Sequence, residues 1–202
     1  NFSKLIILLM KAIIIGGVAR AGKSCLANMI FRSTKSTIIH ADTLTNFLKN
    51  NVPERFSIDF QLDGILKPDP SEIIIKKVIR NMGKEFDYLK IIESSVITPA
   101  TIAQHFRGDQ YISLFLGYPQ VDVLQKLDQI RQAAINDPYC WSRQHSIQEM
   151  LQYLEHFKQL SIEIQQSCQQ FDIQFVDTSE NWSKAIKVSY DEIMCQLVTV
   201  SK

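Results

Sequence analysis

The stretch Gly17-Val18-Ala19-Arg20-Ala21-Gly22-Lys23-Ser24 decides the reading of this chain. It places glycine, four residues and then Gly-Lys-Ser directly after the apolar run Ala12 to Ile15. Glycine lets the backbone turn sharply with its N–H groups pointing inward around an anion, and a helix beginning near Lys23 adds the positive end of its dipole. In such a turn the lysine reaches the β- and γ-phosphates of a nucleoside triphosphate, and the serine sets its hydroxyl on Mg²⁺. The spacing therefore predicts a nucleotide site over Gly17, Val18, Ala19, Arg20, Ala21, Gly22, Lys23 and Ser24, with Cys25 beside it. A phosphate cradle does not by itself name a reaction.

Composition bounds the rest. The 202 residues suffice for one well-buried α/β domain, and the 46% hydrophobic content is ordinary for a globular chain. With 22 basic against 21 acidic side chains the net charge is +1, so no global field draws the protein to nucleic acid or to an anionic membrane. Any anion must therefore be bound by a local site. Cys25, Cys140, Cys168 and Cys195 are scattered without a Cys-x-x-Cys pair, which argues against structural zinc and a disulfide framework and predicts a reducing, cytoplasmic setting. Cys25 itself reads as a small buried helix residue rather than a reactive one. The run Leu5 to Leu9 is too short to cross a bilayer, and residues 1–9 read as an N-terminal extension ahead of a single domain over 10–202.

Along the chain, apolar runs alternate with helical periodicity. Strands are expected at Lys11 to Gly16, Thr37 to Ile39, Tyr88 to Ile92, Tyr111 to Leu116 and Phe171 to Val176. Helices are expected at Lys23 to Arg32, Leu44 to Lys49, from Ser71, Pro99 to Phe106, from Val121, from about His145 to Cys168, and Trp182 to Val198. This order predicts a mostly parallel five-stranded sheet with helices on both faces, whose strand carboxyl ends line the ligand crevice.

Strand ends therefore supply the remaining site residues. Asp42, after the second strand, either turns into the crevice or, with Thr43, caps the helix that follows, and the two roles are compatible. Glu93, after the third, suits a direct or indirect Mg²⁺ ligand beside Ser24, against the alternative of a solvated strand-end carboxylate. Thr178 and Ser179, after the fifth, either border the nucleotide base or cap the last helix.

Two irregular segments complete the picture. Residues 51–70, with Pro53, Pro68 and Pro70 among charged positions, lack periodicity and read as an acceptor-binding insert; Arg80, on the helix beyond, is a weaker candidate for gripping an anionic acceptor. The break at 136–144 reads as a lid, with Arg131 and Arg143 as candidates to close on a transferring phosphate, weighed against ordinary surface charge. His40, His105, His145 and His156 show no ligand spacing and read as structural or solvated.

Taken together, the Gly17 to Ser24 motif after the first strand, the strand–helix alternation and the arginine-bearing break resemble the P-loop small-molecule kinases, the group around nucleoside and nucleoside monophosphate kinases. The resemblance implies a three-layer P-loop NTPase fold, ATP and Mg²⁺ as cofactors, and transfer of a phosphoryl group to a hydroxyl-bearing acceptor. It maps the acceptor-side acid to Asp42, the magnesium-side acid to Glu93 and the lid arginines to Arg131 and Arg143. The Asp-Gly-Phe-Pro-Arg type of signature and the closely spaced arginines of mononucleotide-acceptor enzymes are absent from the sequence. A nucleotide-responsive binding protein or ATPase is the alternative, and a GTPase is disfavoured by the lack of an Asn-Lys-x-Asp segment.

Overall fold

The computed structural model describes residues 12–34, 36–51, 77, 89–108, 110–135 and 140–199. The extension over 1–9, the acceptor insert from residue 52, Arg80 and the first half of the 136–144 break lie outside the described residues.

Ile13, Ile14 and Ile15 are wholly buried, as a strand covered on both faces requires, and they centre the first strand, β1 (Ala12–Gly17). It is joined by β2 (Thr37–His40), β3 (Lys90–Glu93), β4 (Tyr111–Gly117) and β5 (Gln174–Asp177). The order across the sheet is β2-β3-β1-β4-β5, and every pairing is parallel. The edge strands β2 and β5 are only partly buried, whereas β3 is buried throughout.

Among the described residues the helices given by range are α1 (Lys23–Thr34), α2 (Ala41–Asn51), α3 (Pro99–His105), α4 (Val123–Ile135), α5 (Ile147–Phe171) and α6 (Trp182–Thr199), with a 3-10 turn at Trp141–Gln144 between α4 and α5. α1 packs on β1, β2 and β3 and against α6, while α5 lies on β4 and β5 with α3 and α4 beside it. Local chemistry sets several ends. Thr98 caps α3 by accepting from the Thr101 N–H, with Pro99 in the first turn, and Ser146 and Glu149 form a reciprocal capping box at the start of α5.

Two boundaries differ from expectation for physical reasons. The fifth strand begins at Gln174 rather than Phe171, because α5 runs through Phe171 and ends where Asp172 takes a left-handed conformation (φ 54°). The second helix begins at Ala41, immediately after β2, so Asp42 stands in its first turn, where a carboxylate complements the helix dipole.

Among the described residues no helix is long and apolar enough to cross a membrane.

Candidate functional site

The sheet order puts the carboxyl ends of β1 and β3 side by side, with Ile15 opposite Glu93 and His40 of β2 opposite Glu93 on the other side. Three strand ends thereby converge beside the loop that leaves β1.

That loop is built on backbone geometry only its sequence allows. Gly17 has φ 119°, and a β-carbon there would stand 2.0 Å from the Leu116 carbonyl oxygen. Gly22 has φ 107°, and a β-carbon would meet the Trp182 indole at 2.5 Å. Arg20 also takes a positive φ, 62°, without being glycine. The Val18 N–H donates to the Leu116 carbonyl (3.1 Å), and the buried Tyr118 hydroxyl donates to the Ala19 carbonyl (2.9 Å), so β4 and the residue that follows it clamp the loop at two points. Burial holds the Tyr118 phenol far above its ordinary pKa, against the opposing charge of Arg20, so it stays a donor.

Lys23, 5% exposed, donates from Nζ to the Val18 carbonyl (2.9 Å) and is thus folded back over its own loop. Burial lowers its pKa, while Asp42 and Glu93 act in the other direction. Ser24 Oγ donates to Glu93 Oε1 at 2.7 Å, and the other Glu93 oxygen pairs with His40 Nδ1 at 2.8 Å. Asp42 accepts two bonds from Ser95, from the backbone N–H and from the hydroxyl, both at 2.8 Å. No helix amide needs that carboxylate to explain its place.

These groups line one cleft of about 750 Å³. Its floor carries Arg20, Lys23, Ser24 and Cys25, one wall carries Asp42, Glu93 and Ser95, a second comes from Lys126, Gln129 and Ala133 of α4, and the last from Glu180 to Ser183 at the start of α6. Cys25 is half-buried, and burial raises its thiol pKa with Arg32 opposing, which keeps it protonated. Among the described residues no three His, Cys, Asp or Glu side chains form a metal cluster. A hydroxyl and one carboxylate, both hard oxygen donors, are nonetheless the protein's usual share of a Mg²⁺ site whose other ligands are phosphate and water.

The structure brings Lys23, Ser24, Asp42 and Glu93 together and leaves three expected residues outside. Arg131 is exposed and borders a separate hollow with Ser142, His145 and Met150. Arg143 is also exposed, and its guanidinium donates to the Ala134 carbonyl at 3.5 Å. Thr178 is buried, with its N–H and hydroxyl both given to the Gly117 carbonyl, so it ties the end of β5 to β4 and does not line the cleft. It does not cap α6 either, and nor does Ser179, whose hydroxyl accepts from the Gln120 N–H; the cap is Asn181, whose side chain accepts from the Lys184 N–H.

Other residues stand where those were expected. Among the described residues Arg20 and Lys126 are the cations on the cleft besides Lys23, and Lys126 holds its ammonium 4.8 Å above the Tyr118 ring. Burial, with Arg20 adding to it, brings the Lys126 pKa down to about 8. His40 was read as structural or solvated, yet it touches Glu93; its place two residues before Asp42 at a strand end was the available signal. Nothing in the local pattern of α4 singled out Lys126.

No protein-family model and no curated protein sequence matches the chain. Solved structures do. The fold is similar to that of shikimate kinase from Acinetobacter baumannii in complex with shikimate, at a TM-score of 0.54 and 12% identity over 98% of this chain and 97% of that one. Thymidylate kinase from Candida albicans gives a TM-score of 0.54 at 16% identity, covering 96% and 94% of the two chains. A gluconokinase from Sinorhizobium meliloti 1021 gives 0.51 at 15% identity, covering 94% and 93%. The chain thus has the fold of the P-loop small-molecule kinases.

Proposed function

We propose that this protein is a Mg²⁺- and ATP-dependent phosphotransferase acting on a small hydroxyl-bearing acceptor. The observation that supports it most is the convergence of Lys23, the Ser24–Glu93 pair and Asp42 on one cleft beside a phosphate-sized loop. The three kinases of similar fold act in the same direction.

In this reading the loop amides and Lys23 hold the β- and γ-phosphates, and the buried setting of Lys23 strengthens its attraction for an anion. Ser24 and Glu93 would hold Mg²⁺, which when bound neutralises charge on the phosphates. Asp42, fixed by its two bonds from Ser95, keeps lone pairs free to accept the acceptor hydroxyl's hydrogen and orient it. The wall from Glu180 to Ser183 borders the base, with the Trp182 indole next to Gly22. Arg20 and Lys126 replace Arg131 and Arg143 as the cations best placed to meet phosphate charge.

The test is ATP turnover with a panel of sugar acids, polyols, nucleosides and nucleoside monophosphates, read as ADP and phosphorylated product in equal amounts. One acceptor class giving product, with activity lost in Lys23→Met, is the expected result. ATP binding without transfer to any acceptor would instead make the protein a nucleotide-responsive binder or ATPase.

A further inference from the structure

Arg20 departs from the chemistry of the loop that carries it. A left-handed φ of 62° costs a residue with a β-carbon, whereas glycine adopts it freely, and strain of this kind persists where the side chain has a task. The side chain crosses to a segment 120 residues away, where its guanidinium lies 2.7 Å from Cys140 Sγ and 3.4 Å from Ser142 Oγ. Cys140 and Ser142 are themselves bonded at 2.9 Å, and both are buried. The segment so held is the 3-10 turn Trp141–Gln144, whose Arg143 and His145 amides donate back to the Cys140 and Ser142 carbonyls. At its near end Arg20 also lines the cleft, one residue from the Ala19 carbonyl that Tyr118 clamps.

We infer that Arg20 is a positioning residue that latches the segment Cys140–Gln144 to the phosphate loop, so that an anion entering the cleft is felt by that segment through the guanidinium. Negative charge on the loop competes with the sulfur and hydroxyl of Cys140 and Ser142, both held by Arg20 Nη2, for the same guanidinium. The electrostatics agree: burial acts to raise the Cys140 thiol pKa, but its bonds to Ser142 and to Arg20 outweigh burial and bring it below the ordinary value. The inference deepens the nucleotide-site reading and rests on it.

Hydrogen exchange at the Arg143 and His145 amides reads the latch directly. Without nucleotide, Arg20→Gly, which suits the left-handed backbone, should speed exchange at those two amides by roughly tenfold, the opening expected when a charge-assisted contact is lost. Arg20→Lys, which keeps the charge but not the fork, should fall between the two. The double variant Cys140→Ala/Ser142→Ala reaches the latch from its other end and should match Arg20→Gly while leaving the loop backbone untouched. Adding a non-hydrolysable ATP analogue with Mg²⁺ should then change exchange at these amides in the wild type and not in Arg20→Gly, with binding followed in both by calorimetry. Unchanged exchange in both Arg20→Gly and the double variant overturns the latch whether or not nucleotide binds. A wild type whose exchange ignores bound nucleotide overturns the coupling. Failure of the wild type to bind nucleotide would sink the functional reading alone, since the nucleotide-free comparison stands without it.

Discussion

Ser24 Oγ donates a 2.7 Å hydrogen bond to Glu93 Oε1, joining the first turn of α1 to the end of β3 across 69 residues. The bond exists because β3 lies next to β1 in the sheet, so Glu93 stands opposite Ile15 while α1 starts just beyond. A hydroxyl and a carboxylate held this way share one oxygen-rich corner of the cleft.

Glu93→Gln keeps the shape of that corner and removes its charge. Nucleotide affinity measured by calorimetry should then lose most of its dependence on Mg²⁺, while affinity without Mg²⁺ stays near wild type. An unaltered Mg²⁺ dependence would take Glu93 out of the metal site.

Lys23→Met should weaken triphosphate binding by about 2–5 kcal/mol, the range for removing one member of a desolvated charge pair. Stability should hold or rise, because burial already disfavours the Lys23 charge and methionine refills the volume. Calorimetric affinity and melting temperature measured on the same sample decide it. A large fall in melting temperature would mean that Lys23 mainly supports the loop.

Asp42→Asn should leave nucleotide binding and melting temperature close to wild type. Asparagine's carbonyl can still accept the Ser95 N–H, and the Ser95 hydroxyl can rotate to accept from the amide. Turnover with the true acceptor should fall by about 10²–10⁴-fold, the usual contribution of a positioned acid or base. Full transfer activity in the variant would mean that Asp42 only anchors Ser95.

Lys126 gives the protein a pH signature. Its folded pKa of about 8 lies below its unfolded value near 10.4, so below pH 8 both states carry the proton and the folded state bears the full cost of the buried charge. As pH rises from 8 towards ~10.4 the unfolded chain binds more protons than the folded one, and stability increases through this group. Lys126→Met keeps the stem over Tyr118 and should stabilise the protein at pH 7 by about 1–3 kcal/mol, given ~1.4 kcal/mol per pKa unit less the lost cation–π contact. Denaturant unfolding at several pH values should show that gain shrinking above pH 8. A gain that is constant across this range would mean that Lys126 does not titrate there.

Gly17→Ala tests the loop itself. The new methyl would meet the Leu116 carbonyl at 2.0 Å on a backbone with φ 119°, so the end of β1 or its pairing with β4 must give way. A loss of about 3 kcal/mol or more is expected in urea unfolding, in the class of strained backbone substitutions. Near-wild-type stability would show that the loop relaxes without cost.

Much of the fold was legible because its signals are local. The wholly buried Ile13-Ile14-Ile15 run, the Pro99 helix start and the glycine turn at Gly17 each state their conformation within a few residues. The start of β5 was misread because Phe171 is apolar in either setting, and only the left-handed Asp172 shows that the helix goes on to reach it. The position of Asp42 and Glu93 on the cleft was legible because strand ends in a parallel sheet share one edge. Arg131 lies off the cleft because a helix turns about 100° per residue, so it points ~200° away from Gln129, which faces the cleft.

By itself, then, the sequence determined the alternation of strands and helices and the glycine-bounded turn that carries Lys23 and Ser24, since these rest on torsions and periodicities written in contiguous residues. Tertiary structure alone decided which side chains meet that loop. The sheet order set Glu93 against Ser24 and His40, the rotation of α4 turned Lys126 inward and Arg131 outward, and the return of the chain after α4 placed Cys140 and Ser142 within reach of Arg20. Contacts between residues 53 to 122 positions apart depend on how elements are stacked and rotated, and no short stretch of sequence carries that information.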